Sequence, residues 1–118
     1  MKYMLLIYGD EHALNDTERA QCYQESAHLA HELKASGQFL STSPLHLTAA
    51  ATSVRVRGGK RLVTDGPFAE TREQLGGYFL IDAPDRDAAI AVAARIPGAR
   101  IGTVEVRPIL ELTVLPEE

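Results

Sequence analysis

The segment Lys2-Tyr3-Met4-Leu5-Leu6-Ile7-Tyr8 constrains the fold most, because it is apolar on both of its alternating sets: Tyr3, Leu5 and Ile7 on one, Met4, Leu6 and Tyr8 on the other. A strand with one wet face alternates apolar with polar residues, so a run like this belongs in a sheet covered on two sides. Tyr78–Asp82 repeats the pattern with consecutive apolar residues. A chain with two such strands must find cover for both faces of its sheet.

The remaining elements show where cover comes from. Gly9-Asp10 breaks the first strand, and Asn15 or Asp16 can cap a helix from Thr17 to about Ser36, with Glu18 three residues after Asn15. Gly37 suits the left-handed position just past the helix end. At 100° per residue Cys22, Tyr23, Ser26, Ala27, Leu29, Ala30 and Leu33 share one broad face. Phe39–Leu47 reads as a second strand, bent or placed at an edge by Pro44. Thr52–Arg57, Gly58-Gly59 and Lys60–Thr64 form a hairpin signal with a two-residue loop. Asp65 to Gly77 reads as a loop, and Asp85 caps a second helix with Ala89, Val92, Ala93 and Ile96 facing inward until Pro97-Gly98 stops it. Thr103–Thr113 is the last strand.

Strand, helix, strand, hairpin, strand, helix, strand is an α+β, ferredoxin-like split βαβ order with an inserted β-hairpin, in a single domain spanning 1–118. Right-handed crossovers put both helices on one face of the sheet. Nothing in the chain is left for the other face, so a second copy is the expected cover and the protein is expected to be a homodimer. Composition narrows the class further. The lone Cys22 rules out an intrachain disulfide framework and a multi-cysteine metal site. A net charge of −4 argues against a general nucleic-acid binder. No apolar run approaches the length of a membrane span, and the first residues lack a secretory cleavage pattern, so the expected location is cytoplasmic.

Three places could carry chemistry. Asp65-Gly66-Pro67-Phe68-Ala69-Glu70-Thr71-Arg72-Glu73-Gln74-Leu75-Gly76-Gly77 is one: Gly66-Pro67 forces a turn, whose N–H groups the Asp65 carboxylate is expected to accept, while Glu70 could serve as an acid or base. His12, flanked by Asp10 and Glu11 after the first strand, is the second, suited to proton transfer. With the first and third core strands taken as parallel, these two loops lie at opposite ends of a protomer and meet only across a dimer. Arg107 on the last strand is the third. It is either ordinary edge protection or a clamp for a carboxylate or enolate, with Asp65 and Glu70 expected at the same end of the sheet. His28 and Glu32 read as an i,i+4 pair on a wet helix face. The basic hairpin of Arg55, Arg57, Lys60 and Arg61 reads as a solvated tip. Neither a phosphate-binding glycine motif nor metal-ligand spacing occurs, so no cofactor and no metal are expected.

Asp65-Gly66-Pro67-Phe68 with Glu70 resembles the motif of the DGPF-domain proteins, a branch of the YCII-related superfamily. The opening Lys2–Asp10, Glu73-Gln74-Leu75-Gly76-Gly77, Ile96-Pro97-Gly98-Ala99 and Val104-Glu105-Val106-Arg107-Pro108 fit as well, so the resemblance covers nearly the whole chain. It implies a dimeric α+β barrel. Some relatives are enzymes that act on small organic molecules with a helix histidine paired to an aspartate, and that histidine position falls on Ser26 here. Ser26, Arg107 and Asp65 are therefore candidate ligand contacts, and Asp65, Glu70 and His12 candidate catalytic groups. Other DGPF proteins are associated with extracytoplasmic-function sigma factors. Two functions stay open: a homodimer binding a small, anionic organic molecule at its interface in a regulatory role, or a cofactor-free acid–base enzyme of isomerase or lyase type.

Overall fold

In the computed structural model, which describes residues 1–112, the doubly apolar first strand β1 (Lys2–Gly9) lies inside a four-stranded antiparallel sheet of order β2-β5-β1-β6. Its partners are β2 (Phe39–Pro44), β5 (Gln74–Asp82) and β6 (Thr103–Pro108). Register assigns the faces: Tyr3, Leu5 and Ile7 stand opposite Ile81, Phe79 and Gly77, while Met4 and Leu6 stand opposite Leu80 and Tyr78. The first set packs under the helices, and Leu5, Phe79 and Ile81 are fully buried there. The second set is half-buried and lies on the face that neither helix covers.

Helix α1 (Asp16–Ala35) starts where its capping box dictates. The Asn15 side chain accepts from Glu18 N at 2.8 Å, and Glu18 Oε1 accepts from Asn15 N at 2.9 Å. It ends in a Schellman motif, with Gly37 at φ +77°, Gly37 N donating to Lys34 O and Gln38 N to Leu33 O. Helix α2 (Arg86–Ala93) is capped by Asp85, whose carboxylate accepts from Ala88 N at 2.8 Å. Leu29 and Leu33 of α1 join Ala89, Val92, Ala93 and Ile96 in one core over β1 and β5. Arg100, in the 3₁₀ turn Pro97–Arg100, forks onto Glu25 at 2.8 and 2.9 Å and ties that turn to α1. This bidentate bond holds the Glu25 carboxyl below its ordinary range. No described helix is long and apolar enough to cross a membrane.

Strands β3 (Thr52–Arg57) and β4 (Lys60–Asp65) form a separate two-stranded sheet. They turn at Gly58 and Gly59, both at positive φ, as a two-residue hairpin loop requires.

The α+β class, the cap residues and the hairpin match the sequence reading. Several details differ. The first and third core strands, β1 and β5, are antiparallel neighbours rather than parallel, because in this order the crossover through α1 makes β1 parallel to β2 and inserts β5 between them. Strand β2 stops at Pro44, which has no N–H to donate to a ladder. Strand β5 begins at Gln74, within the stretch read as loop, and β6 ends at Pro108. The expected strand end at Thr113 lies outside the described residues.

Among the glycines, Gly102 has the tightest backbone approach: a Cβ there would collide with Tyr8 O and meet Gly9 Cα at 3.1 Å. At Gly9 the same atom would meet nothing within 4 Å. Gly102→Ala is therefore expected to cost about 1–3 kcal/mol in denaturant unfolding, and Gly9→Ala much less. Equal midpoints for the two variants would contradict this account of the β1–β6 junction.

Candidate functional site

Because β1 and β5 are antiparallel, the end of one lies beside the start of the other, with Gly9 opposite Gln74. The loop after β1 (residues 10–15) and the loop before β5 (residues 66–73) consequently meet within one protomer. Two adjoining cavities open at this end of the sheet and share Asp10, Glu11 and Gln74 in their walls.

The first is an apolar chamber of about 260 Å³ between the sheet and the part of α1 that runs up to Ala27. Its origin is local. The buried leucines of α1, Leu29 and Leu33, lie further toward its C-terminus, whereas the chamber wall is made by Cys22, Tyr23, Ser26 and Ala27. Small residues on the inner face leave the helix standing off the sheet. On the floor, Gly77 lies between Ile7 and Phe79 where a side chain would otherwise project. A Cβ on Gly77 would also press on Ser43 O at 3.0 Å and Pro44 Cα at 3.3 Å. Leu45, whose N–H donates to Gly76 O at 2.8 Å, His46 and Leu47 complete the rim.

The second is a polar cleft of about 290 Å³ between the two loops, lined by Asp10, His12, Glu70, Arg72 and Gln74 among others. Much of the polar chemistry around it is already engaged in holding the loops. Glu11 is bound to Thr48: its Oε2 accepts from Thr48 N at 2.7 Å and its Oε1 from Thr48 Oγ1 at 2.6 Å. Arg19 donates through Nη2 to Glu11 O at 2.9 Å and Leu14 O at 3.3 Å, clamping the 10–15 loop onto α1. Asp10 Oδ1 accepts from His12 N at 2.9 Å, a local turn. Gln74 Nε2 donates to Ala69 O and Thr71 O, and Glu73 accepts from Thr103 Oγ1 at 2.9 Å. His12, Glu70 and Arg72 are exposed.

Of the residues singled out by sequence, His12 and Glu70 line the cleft together, in one protomer and without help from a dimer. Ser26 is half-buried in the chamber wall. Asp65 is placed differently from expectation. It is the exposed last residue of β4, opposite Thr52, and among the described residues its carboxylate accepts no hydrogen bond. The turn after it is held by Gly66 N to Ala51 O at 2.7 Å and Ser53 Oγ to Gly66 O at 2.8 Å, because pairing with β3 already fixes the backbone that the carboxylate was expected to fix. Arg107 is not at the cleft end. Strand β6 begins there, with Thr103 opposite Tyr8, and runs away from it, so Arg107 lies opposite Met4 at the other end. Its Nε donates to Glu105 Oε2 at 2.9 Å, and Tyr8 Oη donates to Glu105 Oε1 at 3.2 Å, so it is held by its own strand. His28 and Glu32 form the expected surface pair at 3.4 Å. Sequence reasoning missed His46 and Arg19. His46, in Pro44-Leu45-His46-Leu47, was hidden by extending β2 through it; Arg19 sits on α1 close to Asp16, where it passes for a surface pair. No described group of three or more His, Cys, Asp and Glu side chains is placed to hold a metal ion.

The family model of the YCII-related domain matches residues 1–113. A curated, uncharacterised protein of Rhizobium meliloti (strain 1021) is 34% identical over 114 residues, covering 92% of each chain.

Two measurements check this description. Glu11→Ala removes both acceptors from Thr48 and is expected to cost about 1–3 kcal/mol in urea unfolding, the penalty for stranding part-buried donors, with Glu11→Gln losing less. An unchanged midpoint for Glu11→Ala would show that the carboxylate does not tether the loop. The second concerns Tyr8, whose phenol ionises above the ordinary tyrosine value because of partial burial and then its bond to Glu105. The raised value means that its contribution to stability is complete below the ordinary tyrosine pKa and fades as pH rises through the folded one. Glu105→Gln should lower the pH at which the Tyr8 ring titrates by NMR, and Arg107→Gln should raise it.

Proposed function

The chain belongs to the YCII-related family, and within it we propose that this member is a homodimer that binds a small, mainly apolar organic molecule in the chamber under α1. The reading is that of a non-catalytic, regulatory protein, with coupling to sigma-factor transcription as its physiological setting. One observation carries it: an apolar chamber, built by small helix residues and Gly77, opens beside groups whose hydrogen bonds hold loops rather than face the space. At about 30 Å³ per non-hydrogen atom, as in liquid water, 260 Å³ takes a molecule of on the order of ten such atoms. Its apolar body would lie on Ile7, Phe79 and Ile96, with its polar end at the mouth beside Asp10 and His46. The dimer is supported by Met4, Leu6, Tyr78 and Leu80, an apolar set on the two central strands that no helix covers.

A second reading, a cofactor-free acid–base enzyme, has one observation in its favour: His12 and Glu70 line a cleft that adjoins the chamber. The two readings separate in one experiment. Ligand-observed NMR with a library of small aryl and alkyl compounds is expected to give binders, and Ala27→Phe, which fills the chamber, should weaken them at least about tenfold. His12→Ala and Glu70→Gln should leave that affinity unchanged. Turnover of a bound compound, lost in both of those variants, would replace the binding reading with the enzymatic one; binders indifferent to Ala27→Phe would end the chamber assignment. Light scattering should report twice the 12.9 kDa chain mass.

A further inference from the structure

The chamber under α1 has a polar end, and the charge there selects among the molecules that fit its volume. Three charged side chains stand in the chamber wall: Asp10, Glu11 and Arg19. Two of them are engaged within the protein. Both carboxylate oxygens of Glu11 accept from Thr48, and Arg19 donates to the carbonyls of Glu11 and Leu14 and to Asp16. Asp10 is engaged through one oxygen only. Its Oδ1 accepts from His12 N at 2.9 Å, while among the described residues its Oδ2 has no hydrogen-bond or ion-pair partner. Asp10 is half-buried and belongs to the walls of both cavities, so it stands where the apolar space meets the polar cleft.

An anionic head group has no comparable partner at this mouth. Arg107, the strand cation suited to clamp a carboxylate, lies opposite Met4 at the other end of the sheet and donates to Glu105. Arg72 is exposed and lines the cleft but not the chamber, and it shares that cleft with Asp10, Glu11 and Glu70. A carboxylate beside an apolar wall attracts a cation more strongly than it does in bulk water, because less solvent lies between them. The complement to one open, half-buried carboxylate oxygen is a donor that carries positive charge.

We infer that the chamber's ligand is a small amphipathic amine, with an aryl or alkyl body on Ile7, Phe79 and Ile96 and a protonated amino group that donates to Asp10 Oδ2 at the mouth. An aliphatic amine of ordinary basicity is charged at pH 7, as the lysine side chain is. Its three N–H donors serve Asp10 and leave the others for water in the adjoining cleft. The inference rests on the chamber reading above and adds the chemical class of the ligand and the residue that selects it.

The test uses three probes that share a phenyl ring and differ in the head group: 2-phenylethylamine, 2-phenylethanol and phenylacetate. Their dissociation constants are measured by ligand-observed NMR at pH 7 on the unaltered chain, on Asp10→Asn and on Ala27→Phe. On the unaltered chain the amine should bind at least about tenfold more tightly than either of the others, as expected for a hydrogen bond to a charged group. Raising salt should weaken the amine and leave the alcohol unchanged. Both comparisons stand without any variant. Asp10→Asn keeps an oxygen for His12 N and removes the charge, so it should bring the amine to within about twofold of the alcohol while the alcohol's own affinity holds. Equal affinities for the three probes, all weakened by Ala27→Phe, overturn the amine and leave the chamber reading standing. Tightest binding of phenylacetate, or an amine preference that survives Asp10→Asn, also overturns it. Failure of all three to bind, or binding indifferent to Ala27→Phe, ends the chamber reading and this inference together.

Discussion

The antiparallel pairing of β1 with β5 is the constraint on which the rest depends. It sets Leu5 against Phe79 and Tyr3 against Ile81, building the core beneath the helices. The same register sets Met4 against Leu80 and Leu6 against Tyr78 on the opposite face. A slip of one residue would exchange these sets and turn the core outward. The pairing also decides where polar loops can meet. Antiparallel neighbours bring an exit and an entry to one end, so the histidine after β1 and the acids before β5 become neighbours although they are far apart in sequence.

The two ends of the sheet are finished differently. At the start of β1 the chain is stitched closed: the amino terminus bonds Asp82 at 3.1 Å, Ala83 N donates to Met1 O, and Ile109 N donates to Lys2 O. At the other end β1 shifts register between Ile7 and Tyr8, β2 stops at Pro44, and Gly76 and Gly77 keep the floor low. Each device removes side-chain volume or ladder bonds where the chamber opens. The loops there are nevertheless fastened, by Glu11 to Thr48 and by Arg19 to the backbone at Glu11 and Leu14. A space whose walls are held by their own bonds is preorganised, which lowers the ordering cost of taking up a ligand.

What sequence could read follows from the range of the interactions involved. The capping box of Asn15 and Glu18, the cap at Asp85 and the Gly58-Gly59 turn are bonds between residues close in the chain, and each is where the residue types place it. The doubly apolar pattern of β1 gave its central position for the same reason: periodicity is local. Strand direction is not. Reading β1 and β5 as parallel separates His12 from Glu70 and puts Arg107 at the Glu70 end, and both errors come from that one long-range relation. Asp65 failed differently. A carboxylate before Gly-Pro is a sound turn signal, but the hairpin register runs through Asp65 and leaves its side chain outside.

The chamber shows why function was harder to read than fold. Cys22, Ser26 and Ala27 fall on the inner face of α1 by periodicity, and by that criterion alone they pass for core. Core positions filled with small residues carry a second meaning when the facing strand offers glycine, because neither side then supplies the volume to close the gap. Gly77 opposite Ile7 is that second half, and it is visible only once β1 and β5 are paired. Two unremarkable local choices become a cavity through a contact between residues seventy positions apart. The information is present in the sequence, but in a product of two sites rather than in either one, and pattern reading along the chain samples them separately.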